Sequence, residues 1–362
     1  MNDKLKNVVV TIVFVFIIVI FLIANIIKKD DMISVSERRK LEQFPQISVR
    51  TLLNGTFFDK FNKFTTDQFV KREEFRKIKI NTEFNLLKKS DYNNLYEYED
   101  YIINRLYPLN EKSVANFTKK INQIYEQYLT DENDIYFTVV PDKNYFIDGN
   151  NLKLDYDKLE SILTNNLSFA SYIRIFDELE LEDYYKTDTH WKQEKLSKIA
   201  QNFAKNMNVN LENKYEEKVI CDFQGTYSGQ LPISNAKDKI KILTNTEIEK
   251  CKVYNYETNE ETLVYDMKKV NSLDKYDIYL SGATPLLKIE NPESKTNREL
   301  IVFRDSYASS IVPLLIPEYS TITLIDTRYI SPKLLPSYVD FSNQDVLFMY
   351  STLVINDSYS LK

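Results

Sequence analysis

At 362 residues, 43% of them hydrophobic, the chain can bury one large core or two modest ones, which excludes a minimal domain. It holds only five glycines, too few for a glycine-rich phosphate loop, so each glycine marks a backbone need. A net charge of −6 without a basic stripe argues against nucleic acid as a partner.

The first element in chain order is "VVVTIVFVFIIVIFLIANII", Val8 to Ile27, with no charged residue. Its length matches the ~20 residues that a bilayer-spanning helix needs. A cleaved signal peptide has a shorter apolar core and a small-residue cleavage site, and no such site follows here. The sequence therefore predicts an uncleaved anchor through residues 8–27. Lys4 and Lys6 precede the run, and Lys28 and Lys29 follow it beside Asp30 and Asp31, so charge bias is nearly silent on orientation. The short leader, 1–7, and the long C-terminal region favour the leader inside the cell and the rest outside.

Residues 28–130 read as a linker and a helical N-terminal region. Phe57, Phe61 and Phe64 fall on one helical face, which Phe75 and Ile78 continue. Val114, Phe117, Ile121, Ile124 and Tyr128 mark another helix. These aromatic faces are expected to pack on the domain that follows.

From about 131 the pattern changes. "IYFTVV" (135–140), "YIRIF" (172–176), "LIVF" (300–303), "TITLI" (321–325) and "DVLFMY" (345–350) read as strands. Helix-like stretches alternate with them: "YDKLESILTNNL", the face of Leu196, Ile199, Ala200, Phe203 and Met207, and that of Ala308, Ile311, Val312 and Leu315. Such alternation predicts an α/β fold, a doubly wound parallel sheet, over 131–362. The stretch about 210–298, with "KIKILTN", "KVYNYE", "ETLVYDM" and "DIYLS", reads as a mostly β insertion. Cys221 and Cys251 either form one disulfide or remain two free thiols. With a single histidine they cannot build a zinc site, and no metal or cofactor is expected.

In sheets of this kind, sites form at the carboxyl ends of the strands. There the sequence places Pro141, Asp142 and Lys143, then Asp188 and His190, then Arg304, Asp305 and Ser306, then Asp326 and Arg328, and last Tyr350 and Ser351. A serine hydroxyl needs a base to take its proton, histidine is the usual base, and a carboxylate orients it. Asp188, His190 and Ser306 can supply these three parts, with Trp191 as a wall that sheds water. Alternatively, Ser306 is a helix N-cap and the Asp-x-His pair belongs to a surface loop.

"YYKTDTHW", "FQGTYS", "VFRDSYASSIVPLL" and "LIDTRYI" resemble the SGNH-hydrolase-like proteins of the DHHW family. They are also similar to the alginate O-acetyltransferase group, which uses the "TDTHW" form. Upstream, "FDKFNKFTTDQFVKREEFR" and "VVPDKNYF" extend the resemblance to most of the chain from about Ser36. It implies a flavodoxin-like SGNH fold with Ser306 as nucleophile, His190 as base and Asp188 as orienter. The chain departs from the family in Thr189, where the family name has histidine, and in Arg304, where SGNH enzymes have glycine. The Ser306 N–H and Gly225 are the oxyanion-hole candidates. Lys143, Trp191, Tyr227, Arg304, Tyr307 and Arg328 are the substrate-binding candidates.

The function expected is a membrane-anchored extracytoplasmic O-acyltransferase, with acetyl as the acyl group and a polysaccharide or oligosaccharide as acceptor. No acyl-CoA pocket is evident, and the resemblance implies a membrane-bound O-acyltransferase as donor partner. The alternatives are a carbohydrate acetylesterase and a non-catalytic polysaccharide-binding or assembly protein.

Overall fold

The computed structural model describes residues 3–149, 151–211, 214–232 and 236–362. The start of the expected leader and parts of the expected insertion (212–213, 233–235) lie outside the described residues. Contacts divide the chain into two compact units, Met1–Tyr92 with Gly229–Ile233, and Asn93–Ser228 with Ser234–Lys362.

The first unit begins with helix α1, Asp3–Ile27, none of whose residues is buried. It is long and apolar enough to cross a membrane. Helix α2, Thr56–Asp67, and helix α3, Arg72–Asn81, follow. Within this unit the aromatic face of α2 packs on itself and on Phe44. The rings of Phe57 and Phe61 stack at 5.7 Å, and Phe44 lies edge-on to Phe61 and Phe64 at 6.0 and 5.4 Å.

The second unit is built on an eight-stranded sheet of described residues. Its strands are β1 Ile135–Val140, β2 Ser171–Tyr172, β3 Lys252–Asn255, β4 Glu260–Leu263, β5 Leu286–Glu290, β6 Glu299–Arg304, β7 Thr321–Ile325 and β8 Asp345–Ser351. Their order is β4-β3-β5-β7-β6-β8-β1-β2. From β7 to β2 all neighbours are parallel, whereas β5, β3 and β4 run antiparallel. The fold is thus mixed α/β with a mostly parallel sheet.

Alternation along the central strands builds two cores, one on each face. Val302, Leu347 and Met349 point to one side, which helix α6 (Ser197–Asn206) helps cover. Ile301, Phe303, Val346, Phe348 and Tyr350 point to the other, against helices α4 (Glu111–Tyr128) and α5 (Tyr156–Asn166).

Two strand expectations change, at "YIRIF" and at "DIYLS". The second strand is only two residues long. Ile175 and Phe176 are both buried, which an alternating edge strand does not allow, and the Thr138 hydroxyl donates to the Ile173 carbonyl at 2.8 Å. The β-rich insertion is divided, with β3, β4 and β5 extending the main sheet. Among the described residues of the insertion, Glu216–Phe223 and Asp238–Thr244 pair apart, as a hairpin. "DIYLS" is not a strand, because Leu280, Ser281 and Gly282 adopt φ of 52, 58 and 83°, a left-handed run incompatible with extended backbone. Cys221 and Cys251 are free thiols.

Candidate active site

The carboxyl edge of the sheet gathers the groups. Strand β6 ends at the buried Arg304, and the chain then turns through Asp305 into a short helix, Ala308–Ile311. Asp305 fixes this turn. Its Oδ1 accepts the Tyr307 N–H at 3.0 Å and its Oδ2 the Ser351 N–H at 2.7 Å, which ties the turn to the end of β8. The helix that follows has no side-chain cap. Ser306 is left partly exposed among buried neighbours, and its hydroxyl makes no cap bond.

The loop after β2 folds back on itself. Tyr184 and Trp191 bridge antiparallel, and the Tyr185 N–H donates to the His190 carbonyl at 3.0 Å. Asp188 and His190 therefore sit at the tip of a tight turn. His190 Nε2 lies 2.8 Å from Ser306 Oγ, and His190 Nδ1 lies 2.6 Å from Asp188 Oδ1. Asp188 also accepts the Thr226 N–H at 2.8 Å and the His190 N–H at 3.2 Å. Burial works to raise the Asp188 pKa. The His190 charge, the His190 ring hydrogen bond and these N–H donors outweigh burial and hold the carboxyl well below its usual range. A carboxylate so held fixes the imidazole with Nδ1–H toward Asp188, leaving Nε2 free to accept the Ser306 proton.

The other residues singled out from sequence are placed differently. Gly225 is not an open oxyanion donor, because its N–H donates to Thr187 Oγ1 at 2.8 Å. Its need for glycine is steric, since a Cβ there would lie 2.2 Å from Asp188 Cβ and 2.4 Å from the Thr187 carbonyl. Trp191 is fully buried rather than a wall open to substrate; its indole N–H donates to the Tyr307 carbonyl and Ser310 Oγ at 3.1 and 2.9 Å. Arg304 is likewise buried, with hydrogen bonds to Ser309 Oγ, the Asp305 and Gly282 carbonyls and Thr284 Oγ1. Burial lowers its pKa.

Lys143 is buried, and its Nζ donates to the Tyr185 carbonyl at 3.0 Å, over the Tyr227 ring at 5.2 Å. Burial pulls its pKa down to about 7 against the opposing charges of Asp188 and Asp238. Tyr227 is itself buried, and its hydroxyl pKa is raised. The Tyr307 hydroxyl donates to the Thr189 carbonyl at 2.7 Å. Arg328 pairs with Asp326 through two bonds of 2.9 and 2.6 Å, and it stays partly exposed. Except for Arg328, these six act inside the fold and offer little free surface to a substrate.

The sequence reading missed three contributors. Tyr276 stacks on the His190 ring, Asp238 accepts the Thr187 N–H and hydroxyl at 2.8 and 2.6 Å, and Thr226 donates to Asp188. Thr226 lies in "FQGTYS", where the signal was visible, but Tyr276 and Asp238 had no local signal. A cavity of about 850 Å³ at the opposite edge of the sheet is lined by Asp134, Glu299, Thr321 and Asp345 and by none of the site residues.

The DHHW protein family matches residues 161–325. No curated protein matches the chain. Among solved structures, a DHHW family protein from Eubacterium siraeum DSM 15702 superposes with a TM-score of 0.60 at 19% identity, covering 75% of this chain and 94% of that one. Bacillus cereus PatB1 gives 0.56 at 17% identity, with 72% and 96% covered. PatB1 with a sulfonyl adduct gives 0.54 at 16% identity, with 72% and 95% covered. At these identities the likeness is one of fold.

Proposed function

We propose that this chain is a membrane-anchored, extracytoplasmic serine acyltransferase that moves an acyl group, acetyl in the simplest case, onto a carbohydrate hydroxyl. The observation that carries the reading is the continuous Asp188–His190–Ser306 relay, with contacts of 2.6 and 2.8 Å and only Ser306 open to solvent.

Ser306 Oγ attacks the acyl carbonyl of the donor while His190 Nε2 takes its proton, and Asp188 stabilises the imidazolium. The tetrahedral intermediate collapses, His190 returns the proton to the leaving group, and an acyl-Ser306 ester remains. An acceptor hydroxyl, deprotonated by the same nitrogen, then attacks that ester; the second tetrahedral intermediate breaks its bond to Ser306 Oγ, which takes the proton back from His190 and leaves the acyl group on the acceptor. Among the described residues nothing accepts from the Ser306 N–H, so this donor is available for the oxyanion.

The "TDTHW" block resembles that of alginate O-acetyltransferases, which favours transfer over hydrolysis and a polysaccharide acceptor. Helix α1 serves as the anchor, with a membrane-bound O-acyltransferase as donor. Protease added to intact spheroplasts should then digest the region after Lys28, and full protection until lysis would refute this topology. Transfer is tested by incubating the protein with an activated acetyl ester and a panel of cell-surface oligosaccharides, followed by mass spectrometry. Acetylated sugar is expected. Acetate released only to water would favour the esterase.

A further inference from the structure

On helix α3 the buried Ile80 shares a row with Arg72 and Arg76, while Phe75 and Ile78 lie exposed among Glu74, Lys77 and Lys79. Arg72 and Arg76 turn inward, where Arg72 pairs with Glu37 at 2.7 Å and Arg76 with Glu73 at 2.8 Å. Phe75 and Ile78 turn outward and are 44% and 59% exposed. A solvated amphipathic helix would cover Phe75 and Ile78 before its arginines. More large apolar side chains are exposed over Met32–Leu87 than over the whole of Asn93–Lys362. Patches of this kind mark an interaction surface.

Three contacts within this unit say what covers the patch. Phe21, inside the apolar run of α1, stacks on Phe69 at 5.7 Å and meets Phe75 edge-on at 5.8 Å. Asn25, the one amide in that run, accepts the Val70 N–H at 2.9 Å, so its side chain is satisfied away from water. Gln68 binds both backbone groups of Asp31, at 2.9 and 2.8 Å, which pins the segment leaving α1 to the end of α2.

The depth follows from α1. Val8–Ile27 rises ~30 Å, about the hydrocarbon thickness, and Phe21 lies six residues, ~9 Å, below the Ile27 end. Rings stacked on Phe21 therefore lie below the surface of the leaflet. The same depth, ~5–10 Å, is where interfacial amphipathic helices insert.

We propose that Phe69, Phe75 and Ile78 form a lipid-embedded collar around the Ile27 end of α1, with the outer leaflet as its ligand. The collar rests on the reading of α1 as a membrane span. It adds that α3 lies in the interface, its aromatic and aliphatic side chains among acyl chains and its arginines paired on the inner side. The anchor is thereby a docked helix rather than a free tether.

The chain has a single tryptophan, Trp191, which is fully buried and gives a constant background. Full-length I78W and F75W are reconstituted in phosphatidylcholine vesicles carrying brominated acyl chains, with Y359W, exposed in the other unit, as control. The extra emission of I78W and F75W is expected to fall by roughly half, most strongly with shallow bromines, and Y359W to be unaffected. Ile78 is mostly exposed, so I78W keeps the test valid if F75W does not fold. Extra emission quenched by aqueous iodide and untouched by brominated lipid would overturn the collar while leaving the anchor intact. Failure of the protein to float with vesicles at all would overturn both.

Discussion

The ring of Tyr276 lies flat on the His190 imidazole, with centroids 3.8 Å apart and planes 10° from parallel. Its hydroxyl donates to Ser310 Oγ at 2.8 Å, and that serine also takes the Trp191 indole N–H. The base is thus held on one face by a ring that is itself anchored behind the nucleophile turn. Tyr276→Ala should lower kcat about tenfold with little change in KM, since aromatic pairs contribute ~0.5–1.5 kcal/mol. Tyr276→Phe keeps the ring and should keep activity, losing only ~1 kcal/mol of stability with the hydrogen bond. Equal kinetics for the two variants would show that the stack does not position the base.

Asp188→Asn should leave the fold intact and lower kcat by ~10⁴, because an amide no longer holds the imidazole with Nε2 free to accept. Kinetics on an activated acetyl ester, with circular dichroism as the check on folding, would measure it.

Gly225 sits against the backbone of the residue that orients the base. A Gly225→Ala methyl 2.2 Å from Asp188 Cβ must displace one of the two chains. The expected result is lost activity together with several kcal/mol of stability, in line with strain in a packed interior. Normal melting with full activity would show that this contact relaxes freely.

Lys143 gives a pH prediction. Its folded pKa is depressed to about 7, from 10.5, chiefly by burial. Between these values the unfolded chain binds the extra proton, so the stability of the native state rises with pH across that window. The destabilisation is fully present below about 7 and is relieved by 10.5. Denaturation midpoints of wild type and Lys143→Met should converge or cross in favour of wild type as pH rises from 7 to 10. Parallel curves would mean that Lys143 stays charged throughout.

Much of this was legible in the chain. Short runs rich in β-branched residues, such as Ile135–Val140 and Thr321–Ile325, read as strands, the first buried on both faces, and their ends mark one edge of a parallel sheet. Asp188, His190 and Ser306 stood out because they follow such strands. Charged residues next to them misled, since sequence alone does not separate a basic side chain that meets substrate from one that donates to backbone carbonyls. Lys143 and Arg304 are of the second kind. Tyr276 and Asp238 reach the site through tertiary packing from residues remote in sequence, which periodicity does not report. The exposed face of α3 was hidden for a related reason. Phe75 and Ile78 share an apolar stripe whether that stripe faces protein or lipid, and only the inward arginines tell the two apart.

The central claim is that Ser306 becomes acylated. Rapid-quench mass spectrometry after mixing the protein with 4-nitrophenyl acetate tests it most directly. A single acetyl group is expected on the peptide holding Ser306, formed within one turnover, absent in Ser306→Ala and strongly slowed in Asp188→Asn. Acetylation confined to surface lysines, equal in wild type and Ser306→Ala, would contradict it.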